Sequence, residues 1–499
     1  MDLQTALQQL AALQQKLYAF RTASSALYLD GVTVAPRDTS EGRGVALGIL
    51  AGEEHKLFSS AETGELIAYL ETQKEQLDQE QARQVQLLRR NYDQLSRIPA
   101  DEYMEYAQLV NQASDVWHRA KETSDFALFQ PVLEKLVAFN RKFAAYYDSK
   151  KAPYDALLNE YERGMTMDKL DVFFGTLRER LVPVIREIGQ VEQIDDSFLH
   201  KVYPIEDQRK FSDYLMEVLG MDRNHSTIGE TEHPFTLNFS SQDVRITTHY
   251  TETELAFSMY SVIHEGGHAL YELGVNPAYD YNCLAGGVSM GVHESQSRFY
   301  ENLIGRSLPF IQAIYPRVQG FFPEQLKDVT AEQFYKAVNK AEPSLIRTES
   351  DELTYALHIM VRYEVEKQLM DGTLAVKDVP AEWNRLYKEY LGIDVPSDTL
   401  GCLQDSHWSG GSIGYFPSYA LGSAYGAQMK HVMEADIGPI AGFVAKGDIA
   451  PITAWLGEHI HRFGNMKKPA AIFEDACGKF DPNFFTDYLT EKYSRIYDL

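Results

Sequence analysis

The segment TETELAFSMYSVIHEGGHALYELG occupies residues 251–274. Its apolar positions recur at helical spacing. Thr251 and Glu254 stand as a capping box, and Gly274 falls where a helix C-terminal glycine belongs. The pattern predicts a helix from about Thr251 to Leu273. Within it lies His264-Glu265-Gly266-Gly267-His268. Side chains four residues apart stack on one helix face, so both imidazoles reach one ion. Glu265 is turned by about 100° from His264. It can act on a water molecule without binding the ion, as a general base must. Two successive glycines in a helix cost about 1 kcal/mol each relative to alanine. A close neighbour, such as a peptide backbone or the adjoining hairpin, is expected to need the bare surface.

A catalytic zinc takes three protein ligands and keeps a fourth position open. Downstream, residues 292–299 read VHESQSRF, and Glu294 lies 294 − 264 = 30 residues after the first histidine. That interval suits a loop from Val275 to Gly291 and a return helix beginning near Val292. Glu294 is the candidate third ligand. His293 competes with it, and neighbours on a helix diverge by about 100°, so one of the two faces the ion. Gly287-Val288-Ser289-Met290-Gly291 also matches a nucleophile elbow. That elbow needs a strand of a central α/β sheet before it, and the chain has no run of such strands. Upstream, His233–Tyr250 alternates with period 2: Val244, Ile246, Thr248 and Tyr250 against Asp243, Arg245, Thr247 and His249. This predicts a small hairpin turning at Ser240–Asp243.

The rest of the chain is patterned as helices. Apolar residues keep helical spacing in Leu3–Phe20, Tyr103–Lys121, Phe126–Asp148, Met167–Gly189, Gln208–Leu219, Glu352–Met370 and Ala381–Tyr390. The Gln73–Arg97 stretch is rich in good helix formers. Pro99, Pro131, Pro153 and Pro204 read as punctuation, and no low-complexity linker or internal repeat separates the parts. The 499 residues carry 72 acidic against 47 basic side chains, a net charge of -25. That balance speaks against nucleic acid and anionic membranes as partners. Three scattered cysteines, an N-terminus without signal-peptide character and no apolar run long enough to span a bilayer point to a cytoplasmic protein.

With HEGGH followed by HESQSR, the sequence resembles the thermostable carboxypeptidase (carboxypeptidase Taq) family. Further stretches agree: His233-Pro234-Phe235, the DxRxT run Asp243–Thr247, the IRxxAD-like run Ile346–Asp351 with Ser350 where alanine is usual, and the GxxQDxHW run Gly401–Trp408. The resemblance implies a mainly α-helical fold with a deep central groove and a small β-hairpin or sheet beside the HExxH helix. The fold would be akin to angiotensin-converting enzyme and the oligopeptidases. One domain would span residues 1–499, with 1–230 mainly groove wall and lid, 231–430 carrying the motifs and 431–499 the C-terminal helices. The implied activity is a zinc metallocarboxypeptidase of broad specificity, with cobalt able to substitute, acting in the cytoplasm as a homodimer on peptides with a free C-terminus.

In that reading His264, His268 and Glu294 hold the metal, and Glu265 is the base. Arg347 and Arg245 contact substrate, since an arginine fork suits a carboxylate. Arg245 also closes one end of the groove. His407 and Tyr419 serve the oxyanion, with Tyr415 the alternative phenol and Gln404 a further substrate contact. Asp351 and Glu301 are candidate partners behind the metal ligands. An oligoendopeptidase would share the metal residues without a carboxylate anchor. A non-catalytic scaffold would favour a four-ligand, Cys-rich site.

Overall fold

The computed structural model describes residues 2–499. Helices α1 (Leu3–Thr33), α2 (Ser40–Phe58), α3 (Ala61–Thr72) and α4 (Gln79–Arg97) come first. Leu10, Leu13 and Leu17 of α1 pack with Leu66, Ile67 and Leu70 of α3 and Leu88 of α4 in a core of their own. Next come α5 (Ala100–Thr123), α6 (Phe126–Asp148), α7 (Pro153–Tyr161), α8 (Met167–Ile188) and α9 (Ile205–Val218). The apolar spacing of α6 explains its burial: Phe126, Phe129, Leu133, Leu136 and Val137 line one face, and Asp125 caps Ala127 N at 3.0 Å. Pro131, read as punctuation, lies inside α6 without ending it.

Strands β1 (Ser226–Glu230), β2 (Thr236–Ser240) and β3 (Asp243–Thr248) form one small sheet in the order β1-β3-β2. The hairpin turns at Ser240–Asp243 as its alternation predicts, with Thr236 opposite Ile246 and Leu237 opposite Arg245. Strand β1 adds in parallel, Ile228 opposite Ile246. Its pentapeptide STIGE lacks the alternation that marks β3, so sequence reasoning missed it. Val244 and Ile246 are fully buried, and β3 packs on α10 (Leu255–Leu273).

Helix α10 begins four residues later than predicted. Its N-cap is Glu254, with no side-chain hydrogen bond, so the capping box at Thr251 does not form. The loop after Gly274 ends at α11 (Met290–Arg298), where Ser289 Oγ accepts from Val292 N at 3.2 Å. The serine of the apparent nucleophile elbow is therefore a helix cap. A π-helical segment, Phe299–Gly305, continues the same path. Then follow α12 (Leu308–Phe321), α13 (Pro323–Leu326), α14 (Ala331–Val338), α15 (Glu352–Asp371), α16 (Val379–Tyr390) and α17 (Pro417–Ile437). The chain closes with α18 (Ile440–Val444), α19 (Ala450–His459), α20 (Pro469–Cys477) and α21 (Asn483–Tyr497). One continuous core runs from Leu109 to Tyr497.

A close neighbour does need the bare surface of the glycine pair, and it comes from within the helical body. A Cβ on Gly267 would stand 2.7 Å from Gln296 O and from Ser297 Cα, and one on Gly266 would stand 2.5 Å from Leu219 Cδ1. Gly267 thus lets the backbone of α11 lie against α10. From the other side, a Cβ on Gly422 of α17 would meet Glu294 Cβ and Cγ at 2.6 Å. Helix α11 is clasped between two glycine-bearing helices. Gly274 likewise has an ordinary φ of -84°, and its missing side chain makes room for the His461 ring.

Gly267→Ala is therefore expected to cost about 1–3 kcal/mol, because the clash is with backbone and only a shift of whole helices relieves it. Gly266→Ala meets a rotatable leucine tip and gains helix propensity, so its loss is smaller. Chemical denaturation of both variants tests this. Equal stability of the two would refute the tight α10–α11 crossing.

Candidate active site

His264 and His268 lie one turn apart on α10, and Glu294 projects from α11 toward both. Glu294 Oε2 is 3.9 Å from His264 Nε2 and 3.7 Å from His268 Nε2. Ligand atoms about 2 Å from a tetrahedral ion stand roughly 3.3 Å apart, so the trio fits a metal after small adjustments. Among the described residues it is the one group of histidine, cysteine and carboxylate side chains with that geometry.

The second ring nitrogens confirm the orientation. His264 Nδ1 donates to Glu301 Oε2 at 2.8 Å, leaving Nε2 as the lone-pair donor. His268 Nδ1 meets His293 Nδ1 at 2.6 Å, and His293 Nε2 donates to Glu272 Oε1 at 2.7 Å. Glu272 also accepts from Asn238 Nδ2 at 2.7 Å and Gly287 N at 3.0 Å. His293, the competitor for third ligand, thus stands behind His268 and orients it. Glu294 Oε1 accepts from Arg298 Nε at 2.7 Å, so its other oxygen faces the imidazoles. Arg298 Nη1 and Arg306 Nη2 reach Glu301 at 3.2 and 3.4 Å. Burial would raise the Glu301 carboxyl, but Arg298, His264 and Arg306 together hold it well below the usual range. Asp351 is elsewhere. It caps α15 through Leu353 N and Thr354 N, so of the two candidates only Glu301 stands behind the His-His-Glu trio.

Glu265 is buried beside this group, and Thr236 Oγ1 of β2 donates to its Oε2 at 2.6 Å. Burial pushes its carboxyl pKa up, which suits a group that must take and return a proton.

A second polar cluster is built on the 405–419 segment. Arg347 Nε and Nη2 both donate to Asp405 Oδ1, at 3.0 and 2.8 Å, and Nη1 donates to Tyr355 OH at 3.1 Å. Asp405 Oδ2 accepts from the fully buried Arg362, Nε at 2.7 Å and Nη2 at 2.5 Å. His407 Nε2 and Tyr419 OH are 3.3 Å apart, and the Tyr419 ring lies 5.1 Å from that of Tyr415. Burial pushes the His407 pKa down to about 4, so the ring is neutral at pH 7. Burial raises both phenols, which remain proton donors. Tyr355, which bonds Arg347, lies 4.4 Å under Arg298, and Arg298 bonds Glu294, so this cluster adjoins the His-His-Glu trio.

Gln404 departs from its expected place at the substrate. Its Oε1 accepts from Arg347 N and Arg362 Nη2, at 2.9 and 2.7 Å, and its Nε2 donates to Leu345 O at 3.0 Å. With both ends of the amide bound to protein, it positions Arg347. Arg245 is tied to Asp243 at 2.8 and 2.7 Å and lies 4.3 Å over the Phe239 ring, partly exposed on β3.

Sequence reasoning gave no role to Glu272, Arg298, Asp405, Arg362 or Tyr355, although Arg298 and Asp405 lie inside the quoted motifs. Glu272 follows His268 by four residues and Arg298 follows Glu294 by four, so helical spacing offered a signal for both. Tyr355 reaches Arg347 only through the fold.

The family model for carboxypeptidase Taq (M32) metallopeptidases matches residues 9–493. Carboxypeptidase 1 of Bacillus subtilis is 39% identical over 499 residues, covering 100% of both chains. Thermostable carboxypeptidase 1 of Thermus thermophilus is 36% identical, covering 94% of each. The crystal structure of an M32 carboxypeptidase from Deinococcus radiodurans superposes with a TM-score of 0.97 at 36% identity, over 99% of this chain and 100% of that one. A metal-ready His-His-Glu trio beside a buried glutamate, and these full-length similarities, agree: the chain belongs to the carboxypeptidase Taq family of metallopeptidases.

Proposed function

We propose that this metallocarboxypeptidase uses zinc held by His264, His268 and Glu294 to release the last residue of peptides with a free C-terminus. The observation that carries this reading is the pairing of the trio and Glu265 with a buried arginine whose fork is fixed by Asp405. When bound, zinc supplies Lewis-acid polarisation of the scissile carbonyl and acidification of water. Cobalt is expected to substitute. Glu265 takes the proton of the attacking water and passes it to the leaving amine. Thr236 Oγ1 holds the carboxylate in place meanwhile.

Arg347 anchors the terminal carboxylate. With Nε bound to Asp405 and Nη1 to Tyr355, its planar group keeps further N–H donors for a substrate. His407 and Tyr419 donate to the oxygen that becomes negative as water adds, and Tyr415 stands at the same wall. Arg245, partly exposed on β3, limits substrate length at one end of the groove. The reading includes a homodimer in the cytoplasm and peptides of varied sequence as substrates. No helix among the described residues is long and apolar enough to cross a membrane.

Glu265→Gln is expected to keep its metal and lose about 10²–10⁴-fold in kcat. Metal analysis alongside timed release of amino acids checks both halves, and full turnover in this variant would remove Glu265 as base. Strong chelation should abolish activity, with zinc or cobalt restoring it. A peptide whose C-terminus is amidated should be cleaved far more slowly than its free acid. In Arg347→Met the free acid should lose about 10–100-fold in kcat/KM, the worth of a charge-assisted hydrogen bond, and the gap between acid and amide should narrow. An undiminished gap would refute the anchor.

A further inference from the structure

A cavity of about 520 Å³ opens beside the His293 ring, between α1 and α4 on one side and β2, the 280–290 loop and α11 on the other. Six charged side chains line it: Arg21, Arg90, Glu160, Arg163, Glu272 and Asp280. Five of them are already matched. Arg21 pairs with Glu54 at 2.7 Å and Arg90 with Glu160 at 3.1 Å. Glu272 takes His293, Asn238 and Gly287. Asp280 takes Ser241 N and Oγ at 2.7 and 3.0 Å.

Arg163 differs. Its Nη2 donates to two neutral oxygens, Val288 O at 3.3 Å and Asn465 Oδ1 at 3.2 Å. Among the described residues it makes no ion pair, and its Nε and Nη1 have no hydrogen-bond partner. Burial and the nearby guanidinium groups of Arg83 and Arg90, only partly opposed by the carboxylates of Glu162 and Glu160, push its pKa down to about 10, so it stays charged at neutral pH. The free N–H groups of a partly buried guanidinium that faces a cavity are open to an anion, and a guanidinium fork matches a carboxylate.

The direction of the cavity follows from α11. Glu294 and His293 are neighbours that diverge by about 100°. Arg298, Tyr355 and Arg347 gather on the Glu294 side, and the cavity lies on the His293 side. Arg347 and the cavity thus lie on different sides of the trio, so a peptide anchored at Arg347 would have its upstream part on the cavity side. We propose that Arg163 is a specificity-determining residue that grips an acidic side chain of the peptide on the amino-terminal side of the scissile bond. This inference rests on the carboxypeptidase reading and on Arg347 as anchor.

The test uses the metal-loaded full chain and alanine-based pentapeptides with free C-termini, in which one Asp or one Asn is walked through the upstream positions. At one position the Asp peptide should show a KM about tenfold below its Asn twin, with similar kcat. Arg163→Met should erase that ratio, Arg163→Lys keep part of it, and Arg163→Glu shift the preference to a Lys peptide. A purely structural Arg163, or one that held the terminal carboxylate, would change the Asp and Asn peptides alike in Arg163→Met. That result overturns the proposal, as does an Asp/Asn ratio of one at every position in the unsubstituted enzyme. Failure of the underlying reading shows itself separately, as no release of the C-terminal residue from the Asn peptides.

Discussion

Everything at this centre depends on how closely three helices approach. Gly267 lets α11 rest its backbone on α10, and Gly422 lets α17 press on it from behind. The carboxylate of Glu294 is thereby delivered to within 3.9 Å of both imidazoles without a flexible arm. A methyl group at either glycine would separate the helices by more than a metal site tolerates, because ligand positions must hold to about 0.5 Å. The helix-propensity cost of two glycines in α10 is offset by this contact and by the Leu219 side chain against Gly266.

Around that contact, orientation comes from charge and hydrogen bonding. Each imidazole is pinned from behind, His264 by Glu301 and His268 by the His293–Glu272 pair. Glu294 and Glu301 are in turn bridged by Arg298. Asp405 performs the same service between Arg347 and Arg362, its acidity increased by both guanidinium groups against the effect of burial. The two clusters touch through Tyr355, which bonds Arg347 and lies under Arg298 at 4.4 Å. A shift in one is felt by the other, since such networks are satisfied only as wholes.

Much of this could be read from the chain alone, for a definite reason. His264, Glu265 and His268 sit on one helix, where spacing in sequence is spacing in space. Glu294 was reachable because a loop and a return helix constrain where the chain comes back. The long helices were equally open to periodicity, as in Phe126–Asp148, whose ends agree residue for residue. What stayed hidden was set by contacts between distant segments. The start of α10 depends on packing, so the Thr251 signal misled. Strand β1 exists because β3 offers it a partner, not because STIGE favours a strand. Gln404 looked like a substrate contact until Arg362, 42 positions earlier, claimed its oxygen.

The buried charges linking Glu294, Arg298, Glu301 and Arg306, and those linking Arg347, Asp405 and Arg362, also behave in a particular way on heating. The hydration that ions forfeit on burial becomes less favourable as temperature rises, while the gain from apolar burial levels off. Warm water thus draws these groups outward less strongly than cool water does. The part of the molecule that carries the chemistry is accordingly held by the class of interaction that heat weakens least.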